Sequence, residues 1–217
     1  MSNEREHIPL FPLNVVLFPT SRISLHIFEE KYKVMIQQCM ERESEFGINL
    51  YEKNYIHPVG CTAKVERITR KYPDGSFDIT IQGNSKYRLI EYKADDDGYL
   101  VGSVEVFYDF QEQPADDLVL RAIALYNSLA EIAYSGQWEP EAFNDRRNSL
   151  TLSYVMAEKA GLELNDRQKL LELTSEPKRL EELIRHMERT IPVMREFEHV
   201  KRLVMNDGYL PRLKHDT

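Results

Sequence analysis

The chain has 217 residues, of which 42% are hydrophobic and 29% are charged, and its formal net charge is −8. Both halves carry more acidic than basic residues, which argues against a dedicated nucleic-acid-binding domain. No apolar run approaches the roughly 18 residues of a membrane-spanning helix, and Cys39 and Cys61 alone form no zinc site or disulfide framework. We therefore expect a cytoplasmic protein with no cofactor, no metal, no membrane and no nucleic-acid partner.

The opening apolar stretch, residues 8–19, contains Pro9, Pro12 and Pro19. Each proline fixes φ and removes a backbone donor, so the stretch is predicted to form short edge strands broken by bends and no central strand. The side chains between the prolines are too apolar for a solvated linker. We expect them to hold the stretch against a core.

A strand and a helix are predicted next. Residues 22–27 alternate between polar and apolar, which is typical of a half-buried strand, and residues 28–43 have helical periodicity. We expect this helix to plug the β structure, with Glu29 in a structural role at its first turn through the helix dipole or an ion pair. The predicted apolar face consists of Phe28, Tyr32, Met35, Ile36, Cys39 and Met40.

Further short strands are predicted over residues 46–50, 60–72, 76–83 and 99–107. The sequence Pro73-Asp74-Gly75 predicts a tight turn between the second and third of these, because proline presets φ and glycine supplies a positive φ. Gly83 and Asn84 predict a bulge or bend. Many short strands around one helix indicate a small, closed or strongly coiled β domain.

The rest of the chain is predicted to be helical, over 115–134, 150–160, 165–173 and from Ser175 onward. Asn165 and Gln168 have the spacing of a capping box. Pro192 interrupts the apolar stripe of the last helix, so we expect either a kink or two helices there. The fold class is therefore α+β, with a β-rich domain over residues 1–112 and an α-helical bundle over 113–217.

Sequence motifs of catalysis are missing. The chain contains no Walker A pattern, no Gly-x-Ser-x-Gly, no His-Glu-x-x-His and no Rossmann fingerprint. His26 lies on the polar side of its strand, Asp95 to Asp97 are interpreted as a solvated turn, and Asp145-Arg146-Arg147 as a solvated loop. The sequence thus favours a non-catalytic protein.

The opening stretch resembles the N-terminal substrate-binding domain of the Lon protease family. The resemblance continues through the helical part as far as residue 190, with Thr20, Ser24 and Lys31 as departures from the family pattern. It implies a PUA-like β domain, a coiled or barrel-like mixed sheet with one helix, followed by a helical bundle, and a stand-alone domain without AAA+ and peptidase domains. The residues that match the family motif are Pro9, Leu10, Pro12, Leu13, Phe18, Pro19, Leu25, Ile27, Phe28, Glu29 and Tyr32.

This resemblance implies a module that binds proteins or peptides, with unfolded or exposed apolar segments as ligands, or an adaptor in protein quality control. Aromatic residues outside the predicted core are the candidate peptide-binding residues, and the alternative for each of them is that it packs the two domains together. They are Tyr51, Tyr55, Phe110, Tyr134 and Trp138. Two alternatives remain open: a peptidase-related enzyme subunit, and a PUA-like module for RNA or a small ligand. The oligomeric state is also open, a weak dimer included.

Overall fold

A mixed six-stranded sheet forms the first part of this α+β protein. The computed structural model describes residues 6–133 and 150–206. The strands are β1 (Glu6–Leu13), β2 (Arg22–Ile27), β3 (Phe46–Glu52), β4 (Tyr55–Lys71), β5 (Phe77–Ala94) and β6 (Leu100–Val106). Their order in the sheet is β2-β5-β4-β3-β1-β6, and β5 also pairs with β6. Five strands therefore close into a ring, with β2 attached beside the first half of β5.

The position of β1 corrects the prediction of edge strands. β1 lies inside the ring, parallel to β3 and antiparallel to β6. Pro9 lies in the part of β1 that pairs only with β6, and Pro12 lies in the part that pairs only with β3. Each proline thus has a partner strand on one side alone, so the missing N–H is tolerated as it is on an edge strand. Only Leu10, which is fully buried, is paired on both sides.

A tyrosine fills the narrow interior where the ring closes. The Tyr87 hydroxyl is fully buried and donates to Asn49 Oδ1. A Cβ atom at Gly47 would lie 2.2 Å from the Tyr87 hydroxyl oxygen, and one at Gly60 would lie 2.6 Å from it. Both positions therefore require glycine, because no side chain fits between the strand backbone and the Tyr87 ring.

The one helix of the β part, α1 (Glu30–Glu41), packs on the sheet as expected, but its apolar face is narrower than predicted. Met35, Ile36 and Cys39 are buried in one cluster with sheet residues. The expectation that Phe28 belongs to this face is wrong, since Phe28 precedes the helix and is 63% exposed. Glu29 is the N-cap residue without a side-chain capping bond, and its carboxylate lies 3.3 Å from Lys31 Nζ, so its structural role stays a prediction.

In the described residues, four helices follow the sheet and share a core with it. They are α2 (Asp116–Ala133), α3 (Leu152–Lys159), α4 (Leu164–Glu172) and α5 (Glu176–Asn206). Their buried side chains form one hydrophobic cluster that also contains Val16, Phe18, Leu50 and Val59 from the β part. The division into domains at residue 112 stays a prediction.

Two details of the later helices, the start of α4 and the continuity of α5, bear on the sequence prediction. The capping box is absent, because α4 begins at Leu164 after the N-cap residue Glu163, which places Asn165 inside the helix. Gln168 instead donates to the backbone oxygen of Val59 at 3.0 Å and so joins α4 to the ring. The last helix, α5, is one helix that continues through Pro192.

Candidate functional site

An open cavity of about 400 Å³ separates the second half of α1 from the turn end of the β4–β5 hairpin. We call it the α1 groove. Met40 turns away from the core into this groove and is 40% exposed, although it continues the apolar face of α1. The lining residues are Gln37, Met40 and Glu41 from α1, and Ile68, Lys71, Tyr72, Gly75, Ser76 and Phe77 from the hairpin.

The predicted turn at the hairpin end is confirmed and fixes one wall of the groove. Gly75 has a φ of +82°, and its N–H donates to the Tyr72 carbonyl at 3.1 Å. The Asp74 carboxylate accepts from the Ser76 hydroxyl at 2.7 Å and from the Ser76 N–H at 3.0 Å. These two hydrogen bonds lower the pKa of Asp74, because they favour the charged carboxylate. The turn is therefore locked by its own side chains.

Three rings form an aromatic rim beside the groove, which we define as Phe28, His26 and Tyr72. The ring of His26 stacks on Phe28 with centroids 5.9 Å apart and meets the edge of Tyr72 at 5.4 Å. Asp78 holds the rim in place, since its carboxylate contacts His26 Nδ1 at 2.6 Å and accepts from the Tyr72 hydroxyl at 2.7 Å. The hydrogen bond from His26, followed by that from Tyr72, lowers the pKa of Asp78. The rim thus presents exposed aromatic surface at a fixed position.

Two further cavities also border the second half of α1. One, of about 390 Å³, lies between residues 6–9 of β1 and the end of α1, and the other, of about 240 Å³, lies towards Lys64 and Val65. Both are lined by Cys39 and Ser44, so surface recesses surround this half of the helix. The α1 groove differs from them in its aromatic lining residues, Tyr72 and Phe77.

The two cysteines do not add chemistry to these recesses. Cys39 and Cys61 are both free and buried. Burial raises the pKa of the Cys61 thiol to about 12 and also raises that of Cys39, since a thiolate loses its hydration there. Both are thiols at neutral pH, which is the inert form.

The charged groups in the interior form a structural network around Arg179. Arg179 and Glu176 are fully buried, and Arg179 Nη2 lies 2.7 Å from the Glu176 carboxylate. Arg179 Nη1 lies 2.9 Å from Asp109 Oδ2, and its Nε donates to the Ser153 hydroxyl oxygen at 2.8 Å. Because Ser153 in turn donates to Glu176 at 2.6 Å, its hydroxyl is fully engaged and closed to solvent.

Lys86 extends this network into the sheet. It forms an ion pair with Asp109 and donates to the Leu173 carbonyl at 2.8 Å. Burial lowers the pKa of Lys86, while the hydrogen bond and charge of Asp109 oppose that shift. The network thereby joins β5, the connection after β6, α3 and the start of α5. Its arrangement fixes the helices on the ring and offers no access for a substrate.

The aromatic candidates from the sequence lie apart from the α1 groove. Tyr51 and Tyr55, 40% and 55% exposed, flank the tight β3–β4 turn at Lys53 and Asn54. Phe110 is 65% exposed in the connection between β6 and α2, and within residues 6–133 and 150–206 its ring touches neither tyrosine. Tyr134 and Trp138, like Asp145-Arg146-Arg147, lie outside the described residues.

Sequence reasoning missed the role of Phe28 in the rim, although a signal was present. With Glu29 as the N-cap, Phe28 is the N′ residue and Lys33 is N4. A hydrophobic residue at N′ normally packs on an apolar N4 residue. Because N4 is a lysine here, Phe28 has no such partner and stays exposed. The sequence predicts a hairpin that contains Ile68, Tyr72 and Phe77. No local pattern reveals the space between that hairpin and α1.

In the described part of the chain, no group of three or more His, Cys, Asp or Glu side chains is placed to hold a metal ion. No helix within that part is long and apolar enough to cross a membrane.

The chain is similar to known proteins over most of its length. Residues 7–189 match the model of the ATP-dependent protease La (LON) substrate-binding domain. Lon protease 2 of Herpetosiphon aurantiacus is 24% identical over 214 residues, which cover 92% of this chain and 26% of that protein. The Lon protease of Brevibacillus choshinensis is 25% identical over 195 residues, covering 84% and 25%. The chain thus spans about a quarter of the length of these relatives.

Solved structures show the same fold. The Lon N-terminal domain protein of Xanthomonas campestris superposes with a TM-score of 0.68 at 24% identity, covering 82% of this chain and 97% of that one. The N-terminal domain of Lon protease from the Mycobacterium avium complex superposes with a TM-score of 0.65 at 15% identity, covering 84% and 98%. Since the family model matches well over half of the sequence, this chain belongs to the family of the LON substrate-binding domain.

Proposed function

We propose that this chain is a non-catalytic module that binds unfolded or exposed apolar protein segments in the α1 groove. The observation that supports this is the combination of an open apolar groove with the exposed aromatic rim in a protein of this family. Met40, Ile68 and Phe77 provide the apolar walls, and Phe28 extends the apolar surface outside them. In this role the module presents substrates to a degradation machine or acts as an adaptor in protein quality control.

The dimensions of the groove favour a segment over a folded surface. Its volume of about 400 Å³ accommodates one or two large side chains. Burying one such side chain contributes about 1.5–3 kcal/mol, which gives weak binding for a single anchor. A segment must therefore be free to insert a side chain into the groove while its neighbours contact the rim. Folded proteins keep their large apolar side chains inside and do not meet this condition.

A pair of double variants tests the position of the site. We expect Phe28→Ser with Met40→Ser to weaken binding of reduced, carboxamidomethylated α-lactalbumin by about tenfold or more, because both lost side chains contribute apolar contact. Fluorescence anisotropy of the labelled unfolded protein measures the affinity. Both replaced residues are exposed, so we expect the urea midpoint of the variant to stay close to that of the unchanged chain.

Tyr51→Ser with Tyr55→Ser is the matched control, since it removes two exposed side chains from the other hairpin. We expect this control to bind like the unchanged chain. If the tyrosine variant loses affinity and the groove variant keeps it, the binding surface lies at the β3–β4 turn and the α1 groove is excluded.

A further inference from the structure

One face of the β4–β5 hairpin, opposite to the face that carries the groove residues Ile68 and Phe77, carries three cations at regular spacing. Along β4, Lys64 lies opposite Gln82 of β5, Arg67 opposite Thr80, and Arg70 opposite Asp78. The register shifts between Val65 and Arg67 and between Ile68 and Arg70. From Lys64 to Arg67, and again from Arg67 to Arg70, β4 therefore has one residue more than the facing part of β5. Without these two bulges, residues three apart would point to opposite faces of the sheet. The bulges therefore place Lys64, Arg67 and Arg70 on one face.

Two acidic residues near these cations, Glu66 and Asp78, already have partners of their own, while the exposed Glu43 shares a recess with Lys64. Glu66 accepts from Arg22 Nε through both carboxylate oxygens at 3.0 Å. Asp78 binds His26 and the Tyr72 hydroxyl. Within the described residues, no carboxylate lies within ion-pair distance of Lys64, Arg67 or Arg70, all of which are exposed. The face is thus locally basic on a chain whose net charge is −8.

Tyr72 connects this basic face with the α1 groove. Its ring lines the groove, while the Arg70 guanidinium lies 4.8 Å from the ring centroid. Its hydroxyl reaches Asp78, which lies opposite Arg70 in the sheet register. Because Ile68 and Phe77 lie on the other face of the hairpin, a segment with a side chain in the groove reaches the basic face by crossing the hairpin end at Tyr72.

From this arrangement we propose that the segments bound in the α1 groove carry acidic side chains next to their apolar anchor, which dock on Lys64, Arg67 and Arg70. The inference rests on the proposed function. Successive cations are two β5 residues apart, which is roughly 7 Å at the rise of a strand. Alternate side chains of an extended peptide have the same spacing, so aspartates or glutamates at every second position match the three cations.

A protein segment fits the surface better than a nucleic acid. Only three cations of the face lack an ion-pair partner among the described residues, and a long polyanion would extend beyond them onto a chain with an excess of negative charge. A peptide with a few carboxylates is attracted by these three cations alone, because their electrostatic field extends about 8–10 Å at physiological salt. The adjoining groove also favours an aliphatic or aromatic side chain.

The test compares two fluorescein-labelled peptides that share one central phenylalanine. One has aspartate at alternate positions beside it, and the other has asparagine at the same positions. We expect the aspartate peptide to bind about fivefold to tenfold more tightly, and the difference to vanish at about 0.5 M salt. Lys64→Gln with Arg67→Gln should remove this preference and leave the asparagine peptide unaffected. Lys93→Gln, an exposed cation near the end of β5, should change neither affinity.

The outcomes separate the two proposals. Equal binding of both peptides by the unchanged chain overturns the acidic preference and leaves the groove intact. Binding of neither peptide, with no binding of unfolded α-lactalbumin, overturns the proposed function itself. If a single-stranded RNA oligonucleotide displaces the aspartate peptide and loses affinity in the Lys64→Gln, Arg67→Gln variant, the face binds nucleic acid and the inference is wrong.

Discussion

At the scale of single residues, the fold depends on a few polar groups that are buried together. Arg179 is fully buried, and its guanidinium contacts Glu176, Asp109 and Ser153 as well as the carbonyl oxygens of Leu173 and Leu150. It also lies 4.3 Å from the centroid of the Tyr154 ring. Burying one charge without its partner is costly, since no water replaces the lost interaction. Arg179 therefore holds four chain segments in one geometry.

We predict that Arg179→Met lowers the free energy of unfolding by about 3–5 kcal/mol, because the change leaves Glu176 buried without the positive charge that pairs with it. Urea unfolding followed by circular dichroism measures the loss. Arg185→Met is the matched control, since Arg185 also pairs with a glutamate three residues earlier on α5, at 2.6 Å, but is 59% exposed. We expect this control to lose less than about 1 kcal/mol. Similar losses for the two variants would contradict a structural role for the buried network.

At the scale of elements, the end of a helix decides which residues reach the surface. Helical periodicity places Phe28 in the core, whereas the N-cap at Glu29 places it outside α1 and in the aromatic rim. Periodicity predicts the existence and type of α1, of the β4–β5 hairpin and of the four later helices in the described residues. It does not predict how far the hairpin stands from α1, since that distance depends on tertiary packing. The α1 groove was therefore beyond prediction from the sequence.

The last helix shows the same dependence on context. Pro192 predicts a kink or a break, and the break is wrong because α5 is continuous from Glu176 to Asn206, while the kink stays a prediction. The apolar side chains of α5 before the proline, from Leu180 to Ile191, are buried, whereas Phe197 and Val200 after it are 67% and 50% exposed. Their apolar stripe continues in the sequence without a core to cover it in the described residues. An apolar pattern thus indicates a helix but not its burial.

We predict that Pro192→Ala raises the free energy of unfolding by about 1–3 kcal/mol, because alanine restores a backbone donor and removes the clash of the proline ring within α5. Urea unfolding measures the change. Glu196→Ala, an exposed replacement in the same half of the helix, should stay within about 0.5 kcal/mol. If Pro192→Ala lowers stability instead, the proline fits a bend that the packing of α5 requires.

At the scale of the whole molecule, the architecture of the family and the proposed binding surface overlap in one residue. Leu10, Phe18 and Ile27 of the family motif are fully or almost fully buried, whereas Phe28 of the same motif is exposed in the aromatic rim. The buried motif residues build the ring and seat the helices on it. The proposed binding residues lie on the hairpin and around α1, where side chains are exposed. The sequence resemblance thus predicts the fold well and locates the site poorly.

The basic face is an exception on this chain, which carries a net negative charge as a whole. The basic face attracts acidic side chains, and the groove binds an apolar side chain. Each contribution is weak, but together they favour a segment that has both kinds of side chain. Neither contribution requires a rigid partner. This combination agrees with a module that samples unfolded chains and releases them readily.

The most direct test of this account is photo-crosslinking from within the proposed site. The photoreactive residue p-benzoylphenylalanine is introduced in place of Phe28 in one protein and in place of Tyr55 in another. Each is irradiated with reduced, carboxamidomethylated α-lactalbumin and with the native protein. We predict strong labelling of the unfolded form from position 28, little labelling of the native form, and little labelling of either from position 55. Equal labelling of the folded and unfolded forms, or stronger labelling from position 55, would contradict substrate binding in the α1 groove.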